Sequence, residues 1–417
     1  MLVRCLSKGE LPGMVFDFET RIDRRGTGAA KWNSQLAAHG QPAPGAAWLD
    51  GGPEPIPLSV ADMELAAPPV VLEAMKARVD HGIFGYTMIG QDYRSAACAW
   101  QRERHGWDMP PDAILTFQGV LPALCLAIRG LVAPGRKVLL QTPAFPPFVD
   151  AVTRSGAVVA TDPLVLGDDG RYRMDMVGLE RALADPEVAM FVLCNPHNPV
   201  GRAWDARELK AVAQLCARHD VLVFADEIHG DLTMPGQRFT PFASLGAQAA
   251  GRTIVANGLS KTMNLAGLHL CNIVVPDAGL RERVEALAYA AGHFGVNPVS
   301  MAGFIAGWRE GGPWLDALME HIAANRALMV DFLAERLPRI AAMPMEATYL
   351  AWLDLRGLGL EPEAIVALLV ERARVRLENG AAFGEGGAGF FRVNLACPRS
   401  MLAEALERIA GALGSNR

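Results

Sequence analysis

NGLSKTMNLAGL, residues 257–268, places a single lysine, Lys261, among small and apolar residues directly after the β-branched run RTIVA (252–256). A lysine head group rarely sits in such surroundings unless it is paired or reacting. The run before it reads as a strand buried on both faces, with the lysine just past that strand's carboxyl end.

Three further runs of the same kind lie upstream: KVLLQTP (137–143), MFVLCNP (190–196) and VLVFADE (221–227). Between the last two, AWDARELKAVAQLCARH (203–219) has the spacing of an amphipathic helix. Short apolar strands alternating with helices predict an α/β fold with a mostly parallel sheet flanked by helices. Ligands of such sheets bind beyond the carboxyl ends of the strands. Asn198, Asp226, Ser260 and Lys261 each follow an apolar run, so they are expected to converge on one edge. Beyond residue 300 the text becomes helical, then gives the strands TYLAWLDL (348–355) and FFRVNLA (390–396), which predicts a smaller α+β domain. The expected organisation is a disordered leader over 1–13, a segment 14–64 packing with the small domain, a large domain over 65–300 and the small domain over 301–417.

Composition excludes several function classes. A net charge of -6 with no block of consecutive Lys or Arg argues against nucleic-acid or anionic-membrane partners, and leaves small neutral or zwitterionic substrates. The seven cysteines are scattered, odd in number and without a C-x-x-C pair, which suits a reducing compartment and predicts no metal site. The N-terminus lacks the continuous apolar core of a secretion signal, so a cytoplasmic location is expected. Ala286–Trp308 holds no Asp, Glu, Lys or Arg, but His293, Asn297, Pro298 and Ser300 interrupt it; a buried helix-loop-helix is expected rather than a membrane span. GEGGAG (384–389) fits the dinucleotide pattern G-x-G-x-x-G, yet a strand rather than a helix follows it, so no dinucleotide site is expected.

Alone, Lys261 reads as a solvated lysine, Asp226 as a helix cap and NPHNPVG (195–201) as a turn. In order, each past its own apolar run, the asparagine, aspartate and lysine point to pyridoxal 5'-phosphate (PLP). That chemistry needs a lysine to form a Schiff base and later act as a base, and a carboxylate to keep the pyridine nitrogen protonated. An amide near the ring's 3'-oxygen tunes the same system. For the phosphate, QGVLPALCLAIRGL (118–131) offers the Gly119 and Val120 N-H groups at a predicted helix N-terminus, and Ser260 offers a hydroxyl.

The chain resembles the fold-type-I PLP enzymes of the aspartate aminotransferase superfamily, and within it the MalY/PatB-type cystathionine β-lyases. The resemblance runs from about Phe16 to the C-terminus, through FDFETRIDRRGTGAAKWN, LSVADMELAAPP, GIFGYT, TPAFPPF, NPHNPVGRAW, ADEIHGDL, LSKTMNLAGL, TYLAWLDL and FRVNLACPRS. It implies that Lys261 is the Schiff-base lysine, Asp226 the pyridinium partner and Asn198 the 3'-oxygen ligand, also near substrate, with His229 close to that oxygen. It implies further that Arg392 clamps the substrate carboxylate and that Tyr86 reaches across a homodimer interface. Two positions depart from the pattern. The residue stacking on the cofactor ring, typically the tyrosine of TPAY, is Phe145 here; the usual ADMDF reads ADMEL, which puts Glu64 and Leu65 near the substrate entrance. The implied activity is cleavage of cystathionine or another cysteine S-conjugate to a thiol, pyruvate and ammonia. An aminotransferase acting on a small amino acid is the alternative, and a non-catalytic binding protein on the same fold is a second.

Overall fold

The four apolar runs lie side by side at the centre of a seven-stranded sheet in the computed structural model, which describes residues 16–32 and 54–414. The leader expected over 1–13 lies outside the described residues. Across the sheet the strands are Ile114–Phe117, Cys271–Val274, Thr253–Asn257, Leu222–Asp226, Val188–Cys194, Lys137–Thr142 and Val158–Pro163. Pairing is parallel from Thr253–Asn257 through to Val158–Pro163. Cys271–Val274 is antiparallel to both of its neighbours.

Side chains alternate along these strands, and the alternation feeds two separate cores. Leu139, Phe191, Val223 and Val255 join one hydrophobic cluster, which takes in Leu209 and Val212 of the helix Ala206–Arg218 and Tyr93 and Trp100 of the helix Gln91–His105. Their neighbours Leu140, Met190, Phe224 and Ile254 join the other, with Leu124 of the helix Val120–Leu131, Phe148 of Pro146–Arg154 and Val284 of Ala278–Ala290. Both faces are therefore covered, which is why the strands read as continuous apolar runs.

Register levels the carboxyl ends. Asp226 stands opposite Cys194 on one side and Ala256 on the other. Whatever follows each strand thus emerges at one edge.

The C-terminal part packs the helices Gly312–Arg336 and Arg399–Gly414 with an antiparallel sheet ordered Ala341–Ala342, Leu350–Asp354, Phe390–Asn394 and Glu378–Asn379. Ile56–Pro57 pairs in parallel with Val375–Arg376, which ties the chain before residue 65 to this part. Arg202, just past the edge of the large sheet, donates through Nε to Glu346 at 2.8 Å and links the two parts.

Ala286–Trp308 forms the end of one helix, a turn, and the helix Pro298–Glu310, whose first turn is capped by the Asn297 side chain bonding the N-H groups of Val299 and Ser300. The expected helix-loop-helix is present but not buried throughout: Tyr289 is 80% and Phe294 63% exposed. Among the described residues no helix is long and apolar enough to cross a membrane. In GEGGAG, Gly384, Gly386 and Gly389 adopt positive φ in a loop that leads into the strand Phe390–Asn394, so no helix N-terminus follows them.

Candidate active site

Gly258 separates Lys261 from its strand. Its φ of 143° favours glycine, and an added Cβ would meet the Phe304 ring at 3.4 Å. The turn Leu259–Thr262 follows at once and carries Ser260 and Lys261. Lys261 is half-buried, and its Nζ donates to the Ala61 carbonyl at 2.6 Å. Burial lowers its amine to a pKa of about 8; Arg392 and Lys31 push the same way, whereas Asp62 and Asp226 oppose.

Asp226 ends the neighbouring strand. Burial raises its carboxyl to about 6, against the pull of the Ile228 N-H on Oδ1 at 3.2 Å and of the Lys261 charge. Asn198, two strands from Lys261, is buried, and its Oδ1 accepts from Nη1 of Arg392 at 2.9 Å. Arg392 comes from the small sheet, is 2% exposed, donates through Nη2 to the Ser59 carbonyl at 2.9 Å and lies 5.1 Å from the Phe383 ring centre. Its Nε has no hydrogen-bond partner. The two parts of the chain therefore meet at an amide-guanidinium bond.

His229 is buried edge-on to Tyr349, at 5.7 Å between ring centres. Burial, then Lys261 and Arg392, hold its imidazole well below the usual histidine range, so it is neutral, and its Nδ1 is unpartnered. Phe145 precedes the helix Pro146–Arg154 and borders a small cavity together with His197 and Asn198. Gly119, with φ 139°, is the N-cap of the helix Val120–Leu131, so the first-turn N-H groups lie at Gly119 and Val120 as the sequence suggests.

Tyr86 is not brought to Lys261 within the chain. It is 97% exposed, 6.0 Å from the Phe294 ring, on the rim of a cavity of about 930 Å³ that Gln118 and His269 also line. Glu64 corrects the sequence reading. It is buried at 3% exposure, bonded by Arg24 at 2.7 Å and Trp32 at 2.9 Å and paired with Lys31 at 3.1 Å. Three donors draw its carboxylate into the protein, so it lines no entrance; Leu65 is buried beside it.

Sequence reasoning also missed the wall opposite the sheet edge. From Ser59 to Met63 every main-chain carbonyl accepts a side-chain donor: Arg392 on Ser59, Asn394 on Val60 at 2.8 Å, Lys261 and Tyr349 on Ala61, Lys31 and Asn394 on Asp62, and Asn264 on Met63 at 3.1 Å. The asparagines of LSKTMN and FRVN were visible as polar residues in apolar text, but nothing in the sequence named their acceptors.

These donors fit PLP. The site combines an amine titrating near neutrality, a buried carboxylate beside it, an unpartnered neutral imidazole, an amide and a helix N-terminus. Among the described residues no cluster of three or more His, Cys, Asp or Glu could hold a metal ion.

Residues 53–409 match the model of aminotransferase class I and II. The chain belongs to that family. It is 38% identical over 397 residues to cystathionine beta-lyase PatB of Bacillus subtilis (strain 168), covering 95% of this chain and 100% of that one. It is 31% identical to protein MalY of Escherichia coli (strain K12), covering 97% and 100%. Its fold is similar to that of the PLP-bound C-S lyase of Staphylococcus hominis complexed with the inhibitor L-cycloserine, with a TM-score of 0.88, 30% identity and coverage of 96% and 99%.

Proposed function

We propose that this protein is a PLP-dependent C-S β-lyase, cleaving cystathionine or a related cysteine S-conjugate, with uptake of water, to a thiol, pyruvate and ammonia. The observation that carries this reading is the placement of Lys261 and Asp226 at adjoining strand ends, facing the Arg392-Asn198 bond, in a chain alike over nearly its whole length to PatB.

PLP, when bound, supplies an aldehyde for the substrate's amino group and a ring that withdraws electrons from Cα. Asp226 would face the ring nitrogen and, ionised above about pH 6, keep a proton there. Asn198 and His229 would serve the 3'-oxygen, Phe145 the ring face, and Gly119, Val120 and Ser260 the phosphate. Lys261, titrating at about 8, keeps a neutral fraction at physiological pH, so its Nζ can take the proton from Cα. Arg392 keeps its Nε N-H for the substrate carboxylate, which orients Cα-H toward Lys261. Loss of that proton drives out the thiolate at Cβ.

The reaction is tested with L-cystathionine or an S-alkyl-cysteine as sole substrate. Pyruvate, ammonia and free thiol should accumulate over many turnovers with no keto acid added. Turnover that halts after one equivalent with the thioether intact, and resumes on addition of a keto acid, would make the protein an aminotransferase.

The active unit is proposed to be a homodimer in the cytoplasm. Tyr86 stands exposed among Ile83, Phe84, Met88 and Phe294, an apolar patch suited to a second copy, and the described cysteines are all free thiols. Hybrids of Lys261→Ala and Tyr86→Ala subunits should regain part of the activity; confirmed hybrids that stay inactive would leave Tyr86 outside the site.

A further inference from the structure

Arg392 has a neighbour that the proposed reaction does not use. Glu378 lies directly opposite Arg392 in the small sheet, and opposed residues of an antiparallel pair project from the same face. Glu378 is 1% exposed. One of its oxygens is 3.9 Å from Arg392 Nη2, and neither oxygen receives a hydrogen bond. A guanidinium and a carboxylate that close fully meet at about 2.7–2.9 Å through two parallel bonds. Here Arg392 directs Nη1 to Asn198 and Nη2 to Ser59 instead, so Glu378 balances its charge without occupying the Nε N-H. A charge held in place but not saturated is suited to exchange.

We propose that Glu378 is the resident counter-ion of Arg392 and takes up one proton from solvent when a substrate carboxylate reaches the guanidinium. This rests on the reading of Arg392 as the carboxylate ligand. Burial already holds the Glu378 carboxyl above the ordinary carboxylate range, while the positive charges facing it, Arg392 from the neighbouring strand and Arg376 two residues before it, pull it down. Tyr349 also neighbours Arg392, but burial holds its phenol well above the ordinary tyrosine range, so it stays neutral and adds no charge. A second carboxylate on Arg392 cancels part of that pull and adds a like charge, and both effects favour the protonated form. Protonation in turn leaves the guanidinium's charge to the newcomer. Binding is then pH-independent below the pKa that Glu378 has in the free enzyme. It weakens up to about tenfold per pH unit between that value and the higher one in the complex. A ligand whose carboxyl is esterified brings no like charge and takes up no proton, so Glu378 makes the site read the charge of its substrate.

The test is calorimetry on the holoenzyme with 3-(methylthio)propanoate, which keeps the carboxylate and thioether of S-methylcysteine but has no amine to displace Lys261. Titrations between about pH 5 and 8 in buffers of different ionisation enthalpy give the protons taken up. Wild type should take up a fraction approaching one proton within part of that range, and infrared difference spectra should gain a protonated-carboxyl band. Glu378→Gln, neutral and of the same shape, should bind with no uptake, no new band and a flat pH profile. Wild type that takes up no proton anywhere in the range overturns the proposal whether or not the variant folds, as does uptake that persists in Glu378→Gln. If Arg392→Ala binds the probe as tightly as wild type, the reading of Arg392 falls and the proposal with it. If Arg392→Ala loses the probe while uptake survives in Glu378→Gln, the proposal falls alone.

Discussion

At the carboxyl edge of the seven-stranded sheet, Asn198, Asp226 and Lys261 present side chains to the site, whereas the facing segment Ser59–Met63 presents main-chain carbonyls. The first wall holds groups whose chemistry depends on residue type. On the second, the acceptor is the same whatever the residue, because every residue carries a carbonyl. Burial raises Asp226 and lowers Lys261, so the first wall is electrostatically costly to the fold. The second wall is nearly saturated with hydrogen bonds. Substitutions on the sheet edge should therefore remove chemistry while sparing or even improving stability, and substitutions among the lacing donors other than Lys261 and Arg392, which also face the substrate in the proposed reaction, should do the reverse.

The largest effect is expected at the sheet edge. Lys261→Ala should lower turnover by more than about 10⁴-fold, the upper range for a lost general base. Asp226→Asn should lower it by about 10²–10³-fold, as expected for a lost preorganised charge. The stability of the apoprotein should move the other way. The folded Asp226 titrates at about 6, above the 3.8 of an ordinary aspartate, so the folded state keeps a proton that the unfolded chain releases. Stability conferred by this group is lost as pH rises from about 4 to 6, by roughly 3 kcal/mol. Asparagine does not titrate, so the variant's advantage should appear in urea midpoints at pH 7 and vanish at pH 4. Near-normal turnover in Asp226→Asn would remove the residue from its role, and an unchanged midpoint difference between the two pH values would refute the strain.

Asn264, on the second wall, should show the opposite balance. It sits at φ 58°, a left-handed conformation that asparagine tolerates. Its side chain accepts from Met63 N at 2.9 Å and donates to the carbonyls of Met63 at 3.1 Å and Leu65 at 2.9 Å. Asn264→Ala breaks these bonds and strains the backbone, which should cost about 2–4 kcal/mol. Asn264→Gly should recover about 1 kcal/mol by relieving the strain alone. Denaturant midpoints check both values, and turnover per folded molecule should fall far less than in Asp226→Asn. Equal losses of turnover in the two variants would erase the contrast between the walls.

This contrast also explains what the sequence could disclose. Four apolar runs, each ending in a polar residue, announced the sheet and the edge at which those residues gather, because burial on both faces leaves a composition signature. Arg392, His229 and Tyr86 entered through the family resemblance, since nothing local to FRVN, DEIH or FGYT states what those residues face. Ser59–Met63 stayed silent because its contribution lies in carbonyls, whose partners Lys31, Asn264, Tyr349 and Asn394 are brought in by long-range packing. Glu64 was misplaced for a related reason. A carboxylate in an unusual motif position suggested a place near the substrate entrance, yet three donors from the N-terminal segment, Arg24, Lys31 and Trp32, draw it inside.

The smallest effect falls where the two walls touch. Tyr349 is 1% exposed, and its hydroxyl donates at 2.9 Å to the same Ala61 carbonyl that receives Lys261 at 2.6 Å. Tyr349→Phe removes a donor and strands no acceptor, because Lys261 still satisfies the carbonyl; the cost should be only about 0.5–1.5 kcal/mol. The chemistry should nevertheless register it. A carbonyl relieved of one donor accepts more strongly from the other, which favours the charged form of Lys261 and moves its pKa up from about 8. PLP capture by the apoenzyme requires the neutral amine, so its rate should rise about tenfold per pH unit below the pKa and level off above it. In Tyr349→Phe that midpoint should lie higher by less than about one unit, with the plateau rate unchanged. The pH dependence of cofactor reconstitution, followed by the colour of the bound cofactor, measures it directly. A midpoint that moves down would mean that the tyrosine hydroxyl strengthens the carbonyl's hold on the lysine instead of sharing it.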